Sequence, residues 1–221
     1  MLREMMRKLI RTSCLIVVLL AASFALAQAE FSAEIVDTQK PDAVSQAKIY
    51  MANDKLRIEP VAGAGGAKGR GMGGAVIVNM TAQTTTVLMD QQHMYMEMPA
   101  QAQGQRMAYA SNFFRTGDVE MACSDWAQQA KNKGGTCHKV GSDTVNGRST
   151  VKYETTNANG DTSAFWIDPK LRFPVKWQGK NSSGELRNVQ EGTQPASLFE
   201  VPAGYTKFDM GNMGGMMQRP Q

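Results

Sequence analysis

Apolar and polar side chains alternate along most of residues 30–209, which is the pattern of half-buried β-strands. The alternating segments are residues 31–37, 47–51, 55–59, 76–78, 85–89, 93–98, 136–145, 148–155, 163–167, 173–178 and 185–190. Asn53-Asp54, Asn146-Gly147 and Asn159-Gly160 separate successive segments, and such pairs are hairpin-turn signals. We therefore expect one antiparallel sheet of about ten or eleven strands, with the ordered chain ending at residues 198–202.

The segment between Pro99 and Lys133 has a different composition, rich in Ala, Gln, Met and Ser and poor in β-branched residues. That composition favours one or two helices in the middle of the chain. A sheet with this many strands tends to curl, which leaves a concave face that must be covered. The expected fold class is α+β, one large antiparallel sheet whose concave face is covered by the mid-chain helices.

The first 29 residues have the features of a cleavable secretory signal peptide. Basic residues from Arg3 to Arg11 precede an apolar stretch from Cys14 to Leu20, and Ala27 and Ala29 form a small-residue cleavage site. The apolar core is too short for a spanning helix, so we expect no transmembrane anchor after cleavage and a periplasmic location. The predicted organisation is a signal peptide over residues 1–29, one domain over residues 30–209, and a methionine- and glycine-rich tail over residues 210–221. Residues 62–74, with their many glycines, are expected to form a flexible loop insertion.

Two cysteines, Cys123 and Cys137, remain after the predicted cleavage. Their separation is too wide for a thiol-disulfide motif or a zinc knuckle, whose cysteines are two to four residues apart. An even pair in an oxidising compartment is expected to form a structural disulfide.

Charge and motif content exclude several functional classes. The predicted signal peptide holds four basic residues and one acidic residue, which leaves 20 basic against 19 acidic residues in the rest of the chain. Nucleic acid is not an expected partner, because binding a phosphate backbone needs clustered Lys and Arg. His93 and His138 are the only imidazoles, and no nucleophile or metalloprotease motif is present. We therefore expect no enzymatic activity, no catalytic residues and no cofactor.

Methionine is unusually frequent, with 16 in the chain. Met94, Met96 and Met98 alternate with Tyr95 and Glu97, so a strand would place the three methionines on one face. Flexible thioethers are suited to an adaptable apolar surface, and they are also soft ligands for Cu(I). Both interpretations stay open, the second with Met94, Met96 and Met98 as metal ligands.

Three sequence motifs resemble a known family. Residues 165–176, FWIDPKLRFPVK, resemble the W-x-D-P hairpin of LolA/LolB-like outer-membrane lipoprotein-sorting proteins. The hairpin over residues 140–154 and the ending LFEVPAGY at residues 198–205 resemble the uncharacterised periplasmic relatives of that family. The resemblance implies a half-barrel lidded by helices around an apolar cavity, which in the transport members takes lipoprotein acyl chains. The disulfide pair, the glycine insertion and the methionine tail distinguish this sequence from the sorting proteins.

Alternation predicts which side chains would line such a cavity. The candidates are Ile35, Ile49, Met51, Ile58, Val78, Met94, Met96, Met98, Phe165, Ile167, Val175 and Trp177. The alternative is that they form an ordinary packed core. The leading functional hypothesis is a carrier or binding module for a lipid, a lipoprotein acyl chain or another amphiphile. The alternatives are a periplasmic copper(I)-binding protein and an envelope protein that serves structural or protein contacts; the oligomeric state is not predicted.

Overall fold

The computed structural model describes residues 29–39, 45–61, 74–99, 119–128 and 134–208. Several predictions fall on residues outside these ranges. They concern the signal peptide, the glycine-rich insertion before Gly74, most of the mid-chain helical segment and the methionine-rich tail.

The described chain contains twelve strands and one α-helix. The strands are β1 (Phe31–Asp37), β2 (Ser45–Ala52), β3 (Lys55–Pro60), β4 (Val76–Asn79), β5 (Thr84–Met89), β6 (Met94–Pro99), β7 (Thr136–Val145), β8 (Arg148–Thr156), β9 (Thr162–Asp168), β10 (Phe173–Gly179), β11 (Ser183–Glu191) and β12 (Thr206–Lys207). The helix is α1 (Ala122–Gln128), and short 3₁₀ helices occupy Asp90–Gln92 and Ala196–Phe199.

All twelve strands belong to one open sheet with the order β12-β6-β5-β4-β3-β2-β1-β11-β10-β9-β8-β7. Neighbours along the chain pair antiparallel, so β1–β6 and β7–β11 form two meanders that meet where β1 pairs with β11. The mostly antiparallel open sheet agrees with the expected half-barrel. The described sheet has twelve strands rather than ten or eleven, because β12 adds a short parallel strand beside β6.

The end of the described chain differs from the prediction. Residues 198–202 were expected to close the strand pattern, but Ala196–Phe199 forms a 3₁₀ helix and the chain continues to β12. Pro195 and Pro202 flank this segment, and proline supplies no backbone N–H for sheet pairing. The segment therefore packs on the sheet through its side chains instead of extending it.

Tight turns set the register of the hairpins. Asn146 and Gly147, between β7 and β8, have φ values of 48° and 78°, the left-handed pair that a two-residue hairpin turn requires. Asn53 starts the β2–β3 turn at φ 51°. These positions are the ones that the sequence predicts as turns.

The apolar side chains form three clusters. The largest joins residues of β1–β4 with residues of β7 and β9–β11, and Phe31 meets Phe173 edge to face at 5.2 Å between ring centroids. The second lies between β2–β6 and the C-terminal segment, and the third lies between α1 and β8–β10. The core is thus shared between the two meanders and two covering segments.

Residues 195–208, which we call the C-terminal strap, cover one face of β2–β6. Phe199 of the strap is buried beside Ile77 and Leu88. Arg57 donates from Nη1 to the carbonyl oxygen of Leu198 at 2.8 Å, and the Tyr205 hydroxyl donates to Asp90 Oδ1 at 2.8 Å. The strap face is called the outer face below, and the opposite face of the sheet is called the inner face.

Within the described ranges, no helix combines the length and apolar character needed to cross a bilayer.

Candidate functional site

Strand register places the predicted cavity residues of the first meander on the inner face. Directly opposed residues of neighbouring strands share a face, as do residues two apart on one strand. Ile49 opposes Ile58, Met51 opposes Leu56, and Leu56 opposes Val78. Ile35 lies on the same face of β1, because Ala33 of that strand opposes Ile49.

The three methionines of β6 continue this face to the edge of the meander. Met96 opposes Val87, which opposes Val76, and Met98 opposes Thr85, which opposes Val78. Tyr95 points the other way, into the cluster under the C-terminal strap. Ile49, Met51, Val78 and Met96 are buried, whereas Ile35, Ile58, Met94 and Met98 are half-buried.

The predicted residues of the second meander lie on the same inner face. Leu186 of β11 opposes Ile35, and two residues earlier Gly184 opposes Trp177 of β10. Trp177 in turn opposes Phe165 of β9. Ile167 follows Phe165 on that face, while Val175 sits at the register shift between Pro174 and Lys176. The register thus aligns eleven of the twelve predicted residues with one face, with Val175 at the irregular position. They do not form one cluster, because Phe165, Ile167 and Trp177 pack under α1, whereas Val175 packs with Ile49 and Met51 in the largest cluster.

Helix α1 packs on the inner face of the second meander. Ala122 is buried against Tyr153, Phe165 and Ile167, and Trp126 packs at the margin of this cluster. Tyr153 and Phe165 stack with centroids 5.0 Å apart, and the Tyr153 hydroxyl donates to the carbonyl oxygen of Val119. The expected mid-chain helix therefore covers part of the predicted face.

The predicted disulfide between Cys123 and Cys137 is confirmed, with a Cα–Cα distance of 5.4 Å. It joins α1 to β7, the strand at one end of the sheet order. An ion pair between Lys139 of β7 and Glu120, at 3.0 Å, lies beside it. The beginning of α1 is thus tied covalently and electrostatically to one strand.

A polar cavity of about 680 Å³ lies over the ends of β7–β10, with His138, Lys152, Glu154, Asp161 and Lys180 among its lining residues. Lys152 donates to Glu154 Oε1 at 2.7 Å, which lowers the pKa of that carboxyl, and His138 adds a smaller effect. Lys180 donates to Asp161 Oδ1 at 3.0 Å and lowers its pKa in the same way. These lysine and carboxylate side chains at the cavity therefore form ion pairs with one another.

Trp166 lies on the face of β9 opposite to Phe165 and Ile167, where it is buried in the largest apolar cluster between two lysines of the neighbouring strands. The Lys176 and Lys152 ammonium groups lie 4.7 and 5.5 Å from its ring centroid, within cation–π range. Its Nε1 donates to Asp143 Oδ2 at 2.7 Å. This bond is the largest cause that lowers the Asp143 pKa, followed by the backbone N–H of Thr144 and the two lysines. The second meander therefore buries apolar side chains in two clusters, Trp166 in the largest one and Phe165 in the one under α1, and its lysines surround Trp166.

The W-x-D-P motif ends β9 and starts the turn to β10. Asp168 is 2% exposed and accepts the backbone N–H groups of Lys170 and Leu171 through Oδ1. Its Oδ2 accepts from Arg148 Nε at 2.5 Å, and Arg148 also donates to Glu191. The motif residues are thus accounted for by turn geometry and an ion pair.

Several residues of the inner face were missed by sequence reasoning. Met89 is the most informative, because it directly opposes Met94 across β5–β6. The alternation of Thr85, Val87 and Met89 could have placed Met89 on a face, but not opposite another methionine. Within the described ranges, no group of three or more His, Cys, Asp or Glu side chains is arranged to hold a metal ion.

No protein-family model matches the sequence. No curated protein matches it either.

Several solved structures are similar to this chain. An uncharacterized conserved protein from Thermus thermophilus aligns over 82% of this chain and 90% of its own, with a TM-score of 0.46 and 9% identity. MucB, solved in complex with MucA(peri), aligns over 80% of this chain and 56% of its own, with a TM-score of 0.40 and 13% identity. A LolA superfamily protein from Nitrosomonas europaea aligns over 78% of this chain and 90% of its own, with a TM-score of 0.29 and 10% identity. The structural neighbours thus include the superfamily that the hairpin motifs resemble, and similarity at this level carries no argument about what this chain binds.

Proposed function

We propose that this chain is an exported, non-enzymatic carrier or binding module for an amphiphile, such as a lipid or a lipoprotein acyl chain. The observation that carries the proposal is the strand register, which aligns apolar side chains of both meanders from β6 to β8 with one face. An apolar face of this kind is suited to holding an acyl chain by burial of hydrocarbon.

The inner face keeps accessible apolar surface in the structure. Ile35, Ile58, Met94, Met98 and Trp177 are half-buried rather than enclosed. Large accessible apolar patches on proteins mark sites that bind ligands or partners. The mixture of rigid β-branched residues and flexible methionines suits acyl chains of varied length.

The outer face is a poorer candidate for the same ligand. The C-terminal strap already covers it over β2–β6, where Phe199 and Tyr95 pack. Over β8–β10 it carries Lys152, Lys176 and Glu154. Charged groups would have to lose their water to meet an acyl chain, which is unfavourable.

Two sequence features support export to the periplasm. The first 29 residues fit a signal peptide, and the disulfide between Cys123 and Cys137 suits an oxidising compartment. We accordingly infer a periplasmic carrier.

Native mass spectrometry of the protein isolated gently from its own periplasm tests the proposal. We expect a mature chain carrying a heterogeneous set of acyl-lipid masses, since an apolar face selects for hydrocarbon rather than for one headgroup. Detection of the apo mass alone, both as isolated and after lipid is offered, would contradict the carrier function. The remaining interpretation would then be an envelope protein with structural or protein contacts.

A charge placed on the inner face provides the matched binding test. Met98→Glu introduces a carboxylate among apolar side chains, whereas Gln91→Glu adds the same charge at an exposed turn position. We expect Met98→Glu to weaken binding of a fluorescent fatty acid by about tenfold or more, because the carboxylate loses water. Gln91→Glu is expected to bind like the wild type, and equal affinities for the two variants would rule out the inner face as the site.

A further inference from the structure

Three methionines share one face at the closed end of the β5–β6 hairpin. Met89 and Met94 are a directly opposed pair, and Met96 is the next inner-face residue of β6. We call Met89, Met94 and Met96 the methionine triad. The inner face therefore holds sulfur from two strands rather than from one.

The spacing of the triad suits convergence on one atom. Directly opposed residues have Cβ atoms about 4.5–5.5 Å apart, and diagonal neighbours lie about 7–8 Å apart. Residues two apart on one strand are separated by about 6.7 Å, twice the strand rise. Methionine is long, unbranched and has three rotatable side-chain bonds, so three thioethers in such a triangle can turn their sulfurs toward its centre.

The triad is accessible but apolar. Met89 and Met94 are half-buried, and Met96 is 8% exposed. The neighbouring residues on this face are Val87, opposite Met96, and the exposed Thr206 of β12, which pairs with Met94. A bound ion would reach the half-buried Met89 and Met94 from solvent, with the buried Val87 beside Met96.

The ligand set is made of sulfur alone. His93 is adjacent in sequence, but its ring contacts Tyr205 of the C-terminal strap, with centroids 5.6 Å apart. Neutral thioethers are soft ligands that favour Cu(I), whereas Mg²⁺, Ca²⁺ and Mn²⁺ prefer oxygen, and Zn²⁺ sites in proteins use thiolate, imidazole or carboxylate.

We propose that Met89, Met94 and Met96 bind one Cu(I) ion on the inner face. The site uses a different chemistry from amphiphile binding and does not depend on it. Binding of the ion involves no change in oxidation state.

An anaerobic titration of the full mature chain with Cu(I), held reduced by ascorbate and with bicinchoninate as the competing chelator, tests the site. The wild type is expected to take one Cu(I). The variant Met89→Leu/Met94→Leu/Met96→Leu keeps side-chain volume and apolar character while removing all three sulfurs, so its affinity is expected to fall by about a hundredfold or more. Thiol quantification before and after the titration verifies that Cys123 and Cys137 remain oxidised and supply no thiolate.

The tail supplies a matched control. Met210→Leu/Met213→Leu/Met216→Leu removes the same number of thioethers from residues outside the described ranges. We expect this variant to keep the wild-type Cu(I) affinity. The site would be overturned if the wild type bound no Cu(I) or if the triad variant bound Cu(I) as tightly as the wild type. It would also be overturned if only the tail variant lost Cu(I) affinity.

Copper K-edge X-ray absorption on the wild type identifies the ligand atoms around the ion, and it does not depend on the folding of any variant. Three sulfur neighbours and no nitrogen or oxygen neighbour are expected around the ion. A first shell containing nitrogen or oxygen would overturn the triad. Fatty-acid binding by the triad variant separates the two proposals, because leucine preserves an apolar face and removes only the metal ligands.

Discussion

At the scale of single residues, close packing on the inner face depends on Gly184. A Cβ atom at this position would lie 2.5 Å from Cζ2 of Trp177 and 2.9 Å from the carbonyl oxygen of Val36. Trp177 can therefore lie across β11 only because Gly184 has no side chain. The indole Nε1 donates to the Ser182 hydroxyl at 3.2 Å, which orients the ring. A glycine beneath an aromatic ring in a neighbouring strand is a packing feature that one strand's sequence does not reveal.

Replacement of Gly184 by alanine tests this contact. We expect Gly184→Ala to lower the free energy of unfolding by about 1–3 kcal/mol, because the ring and the strand must both shift to admit a methyl group. Urea unfolding monitored by tryptophan fluorescence measures the change. Gly179→Ala is the control, since a Cβ there meets the rotatable Ser163 hydroxyl at 3.1 Å and is expected to cost less. A Gly184→Ala variant as stable as the wild type would contradict the packing account.

At the scale of elements, α1 is too short to be stable alone and depends on its attachments. It has 7 residues, and isolated helices shorter than about 12–15 residues are marginal in water. The disulfide to Cys137, the Tyr153 bond to Val119 and the burial of Ala122 hold it on the sheet. The helix is a covering element whose position is set by β7 and β8.

Removal of the disulfide should loosen α1 before the sheet. Cys123→Ser/Cys137→Ser is expected to lower the free energy of unfolding by about 2–4 kcal/mol, the usual contribution of a disulfide closing a loop. Hydrogen exchange should accelerate at the amides of α1 while those of β8 and β9 stay protected. Ser124→Ala, which removes a local hydroxyl bond to the Met121 carbonyl oxygen, is the control on the same helix. Unchanged exchange at α1 would show that the helix does not depend on the disulfide.

At the scale of the whole molecule, the two faces of the sheet have opposite character. The inner face carries apolar side chains in both meanders, whereas the outer face is covered by the strap over the first meander and carries lysines and carboxylates around the buried Trp166 over the second. The strap packs on Tyr95 and Leu88 of the outer face, and its Thr206 pairs with Met94 at the edge of the inner face. Both proposed ligands therefore belong to the same face.

The ion pairs of the second meander predict acid sensitivity. Hydrogen bonds from Lys170 and Arg148 lower the pKa of Glu191, and those from lysines lower the pKa values of Glu154 and Asp161. The pKa of Asp143 is lowered first by the Trp166 indole and the Thr144 backbone N–H. A carboxyl group whose pKa is lower in the folded than in the unfolded chain stabilises the fold above its unfolded value of 3.8 for Asp or 4.5 for Glu. That contribution is lost as the pH falls through the folded pKa.

We expect the free energy of unfolding to decrease between about pH 5 and pH 2, the range over which these groups take up protons. Asp143→Asn should make the decrease shallower, because the amide keeps an acceptor for Trp166 but carries no charge to titrate. Urea unfolding across this pH range measures the slope, with Glu200→Gln at an exposed position of the strap as the control. An unchanged slope in Asp143→Asn would contradict a contribution from this carboxyl.

The sequence by itself determined most of the strands, the tight turns, the cysteine pair and the alternation that places Met94, Met96 and Met98 together. These features depend on neighbours in the chain: period two for a strand, a left-handed Asn-Gly turn, and an even cysteine pair. The predicted strand bounds differ from the observed ones by one or two residues, because the end of a strand depends on its partner strand.

Only the tertiary structure decided which residues oppose one another across strands. The pairing of β1 with β11 joins the meanders into one inner face, and the opposition of Met89 to Met94 brings thioethers from two strands together. The strap runs as a 3₁₀ helix and a parallel strand because its partners, Arg57, Asp90 and Tyr95, lie more than a hundred residues earlier in the chain. Contacts between residues so far apart follow from the packing of the whole sheet, and local periodicity carries no information about them.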